Sequence, residues 1–173
     1  MKANSFAMAK FLYLLRHAHS AEKQNGQSDK ERELTPTGIK ESMLIGGFLQ
    51  NNGIAFDMIV SSSAHRAKST AQLVSDIMRS DAGKIVIEET LYDASMRTFL
   101  DFITQFDDGL NCVLCVGHNP TISWLSEFLT AAHLADMVPG GLVIVKFNII
   151  SWKEVSKGCG EFVNYVYPAM LQS

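Results

Sequence analysis

Little in this chain points toward a membrane, a nucleic acid or an oxidising compartment. Its three cysteines are an odd number among 173 residues. Cys112 and Cys115 sit inside an apolar run, which favours buried free thiols over a metal or redox pair, and a reducing cytoplasm is the expected compartment. No stretch approaches the roughly 20 apolar residues of a membrane span. Met1 to Lys10 is too short and too weakly apolar for a targeting segment, so a flexible leader is expected there. The 15 basic residues are scattered and the net charge is −3, which argues against the basic stripe of a nucleic-acid binder. A small phosphate site needs only a few converging cations and stays open. Internal repeats and low-complexity linkers are also lacking. What the chain does have is apolar substance, 47% of its residues, enough for one core and too little length for two. One domain over 1–173 is expected.

The pattern along the chain is that of an α/β protein. Phe11 to Leu15 is a continuous apolar run, as in a strand buried on both faces of a parallel sheet. Ala18 to Glu33 is polar and loop-like. In "ELTPTGIK", Thr35 can cap a helix, Pro36 suits its first position and Leu34 can staple against Ile39. Ile39, Met43, Gly47 and Phe48 then follow a helical stripe to a stop near Gly53. Met58 to Val60 is a second strand. The helix after it packs through Ala64, Ala67, Ala71 and Val74, with Ser62 or Ser63 as its cap. A strand over Lys84 to Ile87, a helix over Thr98 to Phe106, a buried strand over Cys112 to Val116 and a helix from Pro120 to about Leu129 come next. Leu142 to Ile150 and Glu161 to Tyr167 close the chain as paired strands around "SWKEVSKGCG". Trp124, Phe128, Trp152 and the Phe99 to Phe106 stripe are expected in the core. This order predicts a three-layer sandwich, with helices flanking a mostly parallel sheet that turns antiparallel near its edge.

In an open α/β sheet, ligands bind beyond the carboxyl ends of the strands. The first apolar run ends in Arg16 and His17, the second leads to Arg66, and the fourth ends in "VGHNP" with His118. Two arginines and two histidines therefore meet at one sheet edge. Arginine matches phosphate geometry with paired donors and stays charged. A neutral imidazole can attack phosphorus and form a phosphoramidate that water later hydrolyses. With the second imidazole and the guanidiniums stabilising the transferred oxygens, such a site requires neither metal nor cofactor.

"LLRHAHS", "ELTPTG", "SSSAHRAKSTA" and "VGHNPT", in this order and spacing, resemble the histidine phosphatase superfamily, the phosphoglycerate mutase-like fold. Within it they are most like the small bacterial phosphohistidine phosphatases of the SixA type. The resemblance covers about Phe11 to Leu129. It implies His17 as the phosphorylated nucleophile, with Arg16, Arg66 and His118 completing the phosphate pocket and Arg32 facing the phosphate. Two positions depart from the pattern. Ala18 stands where the family usually has Gly, and would be strained if the site required positive φ there. Glu33 stands where the SixA type tends to have Pro. The general acid of many relatives has no clear counterpart; Glu89 and Asp93, flanking "TLYD", are the candidates.

The absent acid bears on the substrate. An alkoxide leaving group needs a proton, and a positioned acid contributes typically 10² to 10⁴-fold, whereas the imidazole of a phosphoramidate leaves more easily. Between Arg66 and His118 there is also no room for an inserted cap domain. Both features favour protein phosphohistidine, for example on a histidine phosphotransfer domain. Two alternatives stay open: a small-molecule phosphomonoesterase of the same superfamily and a non-catalytic phosphoprotein-binding module. His19, two residues beyond His17, could suggest zinc, but further ligands of the right kind are not nearby and it reads as a rim residue. His65 and His133 read as ordinary surface or helix residues.

Overall fold

The computed structural model describes residues 9–80 and 85–172. Six strands, β1 (Lys10–Arg16), β2 (Met58–Ser62), β3 (Ile85–Glu88), β4 (Cys112–Gly117), β5 (Leu142–Phe147) and β6 (Gly160–Val166), alternate with four helices, α1 (Pro36–Asn51), α2 (His65–Met78), α3 (Met96–Ile103) and α4 (Thr121–Thr130). The strands form one sheet in the order β3-β2-β4-β1-β5-β6. The first four of that order are mutually parallel; β5 runs antiparallel to both β1 and β6. The α/β class and the antiparallel edge are as the sequence predicts.

The continuous apolar run of β1 has a direct structural cause. Successive side chains alternate between faces, and both faces are covered. Leu12 and Leu14 enter a core with Phe99 and Ile103 of α3 and Ile122, Leu125 and Leu129 of α4. Tyr13 and Leu15 enter a second core with Ile45 and Leu49 of α1 and Ala67, Ala71 and Val74 of α2. These are the three layers. Between α2 and β4 the described chain holds only β3, a short turn over Glu89–Leu91 and α3, so no cap domain stands over the sheet edge.

Several local expectations are corrected. The flexible leader does not extend to Lys10, which opens β1, is buried, and donates through Nζ to the carbonyls of Asp108 and Leu110; residues 1–8 lie outside the described residues, as does Lys84. Thr35 caps α1 as expected, accepting from the Gly38 amide at 3.1 Å. The buried face of that helix, however, is Gly38, Glu41, Ser42, Ile45, Gly46 and Leu49, while Ile39 and Met43 are exposed. Small residues win that face because the backbone comes too close for large ones. A Cβ on Gly38 would lie 2.0 Å from the His19 carbonyl oxygen, and one on Gly46 would lie 2.8 Å from Ile77. Neither Ser62 nor Ser63 caps α2: its cap position is Ala64, Ser62 is still in β2, and its hydroxyl is engaged elsewhere. Trp152 is buried, but Trp124 is 53% exposed and Phe128 half-buried, so Trp124 is not a core residue.

Candidate active site

The sheet register brings the two histidines together. β1 and β4 pair in parallel with Arg16 beside Gly117, and the His17 amide donates to the Gly117 carbonyl at 3.0 Å, so His17 and His118 leave adjacent strand ends side by side. Their ring centroids are 5.1 Å apart. On the far side of β4, Ser61 of β2 pairs with Val116, which sets the Ser62 hydroxyl 2.7 Å from His118 Nε2. Arg66 arrives from the first turn of α2 and is buried despite its charge.

His17 has a defined tautomer. Its Nδ1 lies 2.8 Å from the Ala18 carbonyl oxygen, which can only accept, so Nδ1 carries the proton and Nε2 the lone pair. Arg66 Nε–H donates to that Nε2 at 3.2 Å. Burial, reinforced by His118, Arg66 and Arg16 and opposed by the Ala18 hydrogen bond, pushes the His17 pKa down to about 3. Burial, with Arg66 beside it, lowers His118 to about 4, against an opposing pull from Asp29. Both rings are neutral at pH 7. Ala18 itself is buried and is not among the residues with positive φ; its amide donates to Thr70 Oγ1, so the departure from Gly costs no backbone strain at this site.

Around His17 Nε2 the guanidiniums converge on a cleft of about 310 Å³, lined among others by Arg16, His17, His19, Arg32, Arg66 and His118. Arg16 is anchored through Nη1 to the Met137 carbonyl at 2.6 Å, a carbonyl that Asn119 Nδ2 also reaches, and its Nε has no protein partner. Arg32 donates to the Ala21 carbonyl, and its Nε lies 2.9 Å from Asp29 Oδ1, an ion-pair distance without hydrogen-bond alignment. His19 is half-exposed at the rim, with Nδ1 2.6 Å from the buried Glu41, whose other oxygen accepts from the His19 amide at 2.9 Å. Among the described residues, no group of three or more His, Cys, Asp or Glu side chains is placed to hold a metal ion. Cys115 is buried and Cys112 half-buried, and burial pushes both thiols up.

Beside this cleft, and sharing Arg66, His118 and Asn119 with it, lies a second hollow of about 370 Å³ whose walls include Tyr92, Asp93, Phe99 and Pro120. Of the two acid candidates, Asp93 lines this hollow, whereas Glu89 is exposed and paired with Lys30.

Sequence reasoning missed Asp29, Ser62, Tyr92 and Glu41. Asp29 accepts from Arg66 Nη1 through its main-chain oxygen at 2.7 Å and from Nη2 through Oδ2 at 2.9 Å, and the Tyr92 hydroxyl donates to the same Oδ2 at 3.0 Å. Burial pulls its pKa up, but Tyr92, Arg66 and Arg32 outweigh this and hold the carboxyl below its usual range.

Comparison with known proteins agrees with this geometry. A family model described as the histidine phosphatase superfamily (branch 1) matches residues 12–99. An uncharacterized protein of Mycobacterium tuberculosis is 32% identical over 164 residues, covering 89% of this chain and 99% of its own. Phosphohistidine phosphatase SixA of Escherichia coli is 24% identical over 132 residues, 75% of this chain and 74% of that one. A solved structure of the protein histidine phosphatase SixA complexed with tungstate superposes with a TM-score of 0.80 at 21% identity, over 94% of this chain and 99% of that one, and so shares its fold. The chain is a member of the histidine phosphatase superfamily.

Proposed function

We propose that the protein is a phosphatase that works through a phosphohistidine intermediate on His17 and removes phosphate from protein phosphohistidine. The observation that carries this reading is the locked, neutral His17, whose Nε2 stands at the arginine-lined cleft and accepts from Arg66 Nε–H. Arg16, Arg32 and Arg66 would hold the phosphoryl oxygens, and His118 would lie beside the transferred group.

The reaction balances without an added group. Arg66 Nε–H leaves His17 Nε2 for a phosphoryl oxygen, the freed Nε2 lone pair attacks phosphorus, a P–N bond forms, and the bond to the leaving atom breaks with its electron pair going to that atom. A phosphohistidine protonated on its second ring nitrogen leaves as neutral imidazole and needs no further proton. Water then attacks phosphorus, the P–Nε2 bond breaks, and dihydrogen phosphate and neutral His17 are left. Each oriented donor is worth about 3–4 kcal/mol when it meets charge developing in the transition state.

Three observations support the substrate side. The cleft is uncapped, the second hollow opens directly beside His118, and the acid candidate Glu89 is tied to Lys30 away from it. SixA of E. coli, a phosphohistidine phosphatase by name, lies among the relatives. Asp93 at the hollow favours the alternative of a small phosphomonoester, because a carboxyl there could protonate an alkoxide. The deciding experiment is a time course of phosphate release from a histidine-phosphorylated phosphotransfer domain and from a small phosphomonoester, with wild type and His17→Ala. Selective, His17-dependent release from the protein substrate is expected. Release from the small ester alone moves the substrate to metabolism, and release from neither substrate overturns the phosphatase reading.

A further inference from the structure

We propose that Asp29 is the positioning and charge-setting residue of the phosphate cleft: it fixes Arg66 beside His17 and lowers the net positive charge that the three guanidiniums present to a phosphoryl group by one. The inference rests on the phosphatase reading above and adds a residue which that reading does not require.

The geometry comes first. A guanidinium has five N–H groups in a rigid fork. In Arg66 one points from Nε to His17 Nε2, one from Nη1 to the Asp29 main-chain oxygen and one from Nη2 to Asp29 Oδ2. Two remain for a ligand. Because one residue grips both terminal nitrogens, the guanidinium cannot rotate without breaking two hydrogen bonds, and its Nε stays beside His17, within reach of a phosphoryl oxygen bonded there. Asp29 is itself held. It opens the short turn Asp29–Glu31, which Ser28 and Glu31 close with a reciprocal capping box, and the Tyr92 hydroxyl donates to the same Oδ2 that takes Arg66 Nη2. The Tyr92 ring in turn stands edge-on to His118, 5.9 Å between centroids, so one carboxylate links the surroundings of both histidines.

The charge follows. Arg16, Arg32 and Arg66 line the cleft, and Asp29 is ion-paired to the last two at 2.9 Å each. His17 and His118 are neutral at pH 7. Asp136, which acts on Arg16, is exposed and screened by solvent. The Asp29 carboxylate therefore lowers the net positive charge that the three guanidiniums bring to the cleft by one. One more positive charge would strengthen the hold on bound substrate and released phosphate alike, and uniform binding of that kind does not accelerate chemistry.

The test is Asp29→Asn, which keeps the shape and an accepting oxygen while removing the charge, beside Asp29→Ala, which removes both. Turnover of p-nitrophenyl phosphate and calorimetric binding of inorganic phosphate are measured for each. For Asp29→Asn, KM and the phosphate dissociation constant should both fall by roughly tenfold, while kcat falls because phosphate leaves more slowly. For Asp29→Ala, Arg66 keeps only its bond to the main-chain oxygen of residue 29, and the loss of the carboxylate grip should lower kcat by roughly 100-fold, with no gain in phosphate affinity. A carboxylate that only supports the fold would give weaker phosphate binding and lower kcat together in Asp29→Asn; that result, or unchanged constants, overturns the proposal. If wild type binds phosphate but turns over none of the substrates tested, the phosphatase reading fails alone, and tighter phosphate binding by Asp29→Asn still supports the role of Asp29. Wild type that binds no phosphate overturns both.

Discussion

Arg66 Nε donates to His17 Nε2 at 3.2 Å, so the atom that would attack phosphorus is already hydrogen-bonded to a group that would stabilise the phosphoryl oxygens. Replacing His17 by Ala is expected to abolish turnover and to leave no acid-labile phosphoenzyme in a rapid-quench trap. Arg66→Lys keeps the charge but loses the fork that spans His17 and Asp29, and should still lower kcat/KM by about 10² to 10³. Near-normal steady-state constants in either variant would remove His17 or Arg66 from the mechanism.

The two buried histidines make stability fall on the acid side. Unfolding releases each ring to an ordinary pKa near 6.5, whereas burial holds His17 at about 3 and His118 at about 4 in the folded chain. The unfolded chain therefore binds more protons between those values. The stabilisation is fully present above about pH 6.5 and is lost as pH falls toward 4, with a slope of up to about 1.4 kcal/mol per pH unit for each ring. Urea unfolding at pH 7.0, 5.5 and 4.5 should show this loss, and His17→Ala should reduce its slope. A flat profile would mean that the rings are solvated.

Gly38 is the point where α1 touches the loop that follows His17. A Cβ at 2.0 Å from the His19 carbonyl oxygen meets backbone, which cannot rotate away. Gly38→Ala is expected to cost about 3 kcal/mol, the upper end for overpacking, and to reduce kcat because the loop carrying His17 must shift. Gly47, on the open side of the same helix with nothing within 4 Å of its added Cβ, is the control: Gly47→Ala should be neutral or stabilising. Thermal unfolding of the pair, read beside activity, checks both.

The two tryptophans should separate in the same kind of experiment. Trp152 is fully buried, meets Phe106 and Phe147 edge-on and donates Nε1–H to the Leu110 carbonyl at 2.8 Å. Trp152→Ala should destabilise by about 3–5 kcal/mol. Trp124→Ala, at an exposed position, should change stability by no more than about 0.5 kcal/mol. Equal losses would place Trp124 in a packed environment that the fold does not give it.

What was legible in the sequence was whatever local patterning encodes. The apolar run of β1, the Thr35–Pro36 helix start, the alanine face of α2 and the polar residues at strand ends are written in adjacent or periodically spaced residues. The buried face of α1 was not legible, because a helix pressed against backbone buries Gly38, Ser42 and Gly46, and the hydrophobic pattern then points outward. Trp124 departs from expectation for the opposite reason: a large ring at a helical position is not thereby buried. Asp29 escaped because it sits in a polar loop without periodicity, and its partners Arg66 and Tyr92 are 37 and 63 residues away. The capping role expected of Ser62 was overridden by a tertiary demand, since β2 continues through it and delivers its hydroxyl to His118.

The strand order also sets a timetable for synthesis. β1 emerges first from the ribosome, yet its sheet neighbours are β4 and β5, which begin at Cys112 and Leu142. The apolar run of β1 must therefore wait for β4 and β5 before its backbone is paired, a non-local closure of the kind that slows folding and leaves hydrophobic surface exposed meanwhile. The same segment carries His17. A nascent or truncated chain ending before β4 thus presents a sticky strand with His17 apart from His118, and the two rings meet only at the step that buries the strand.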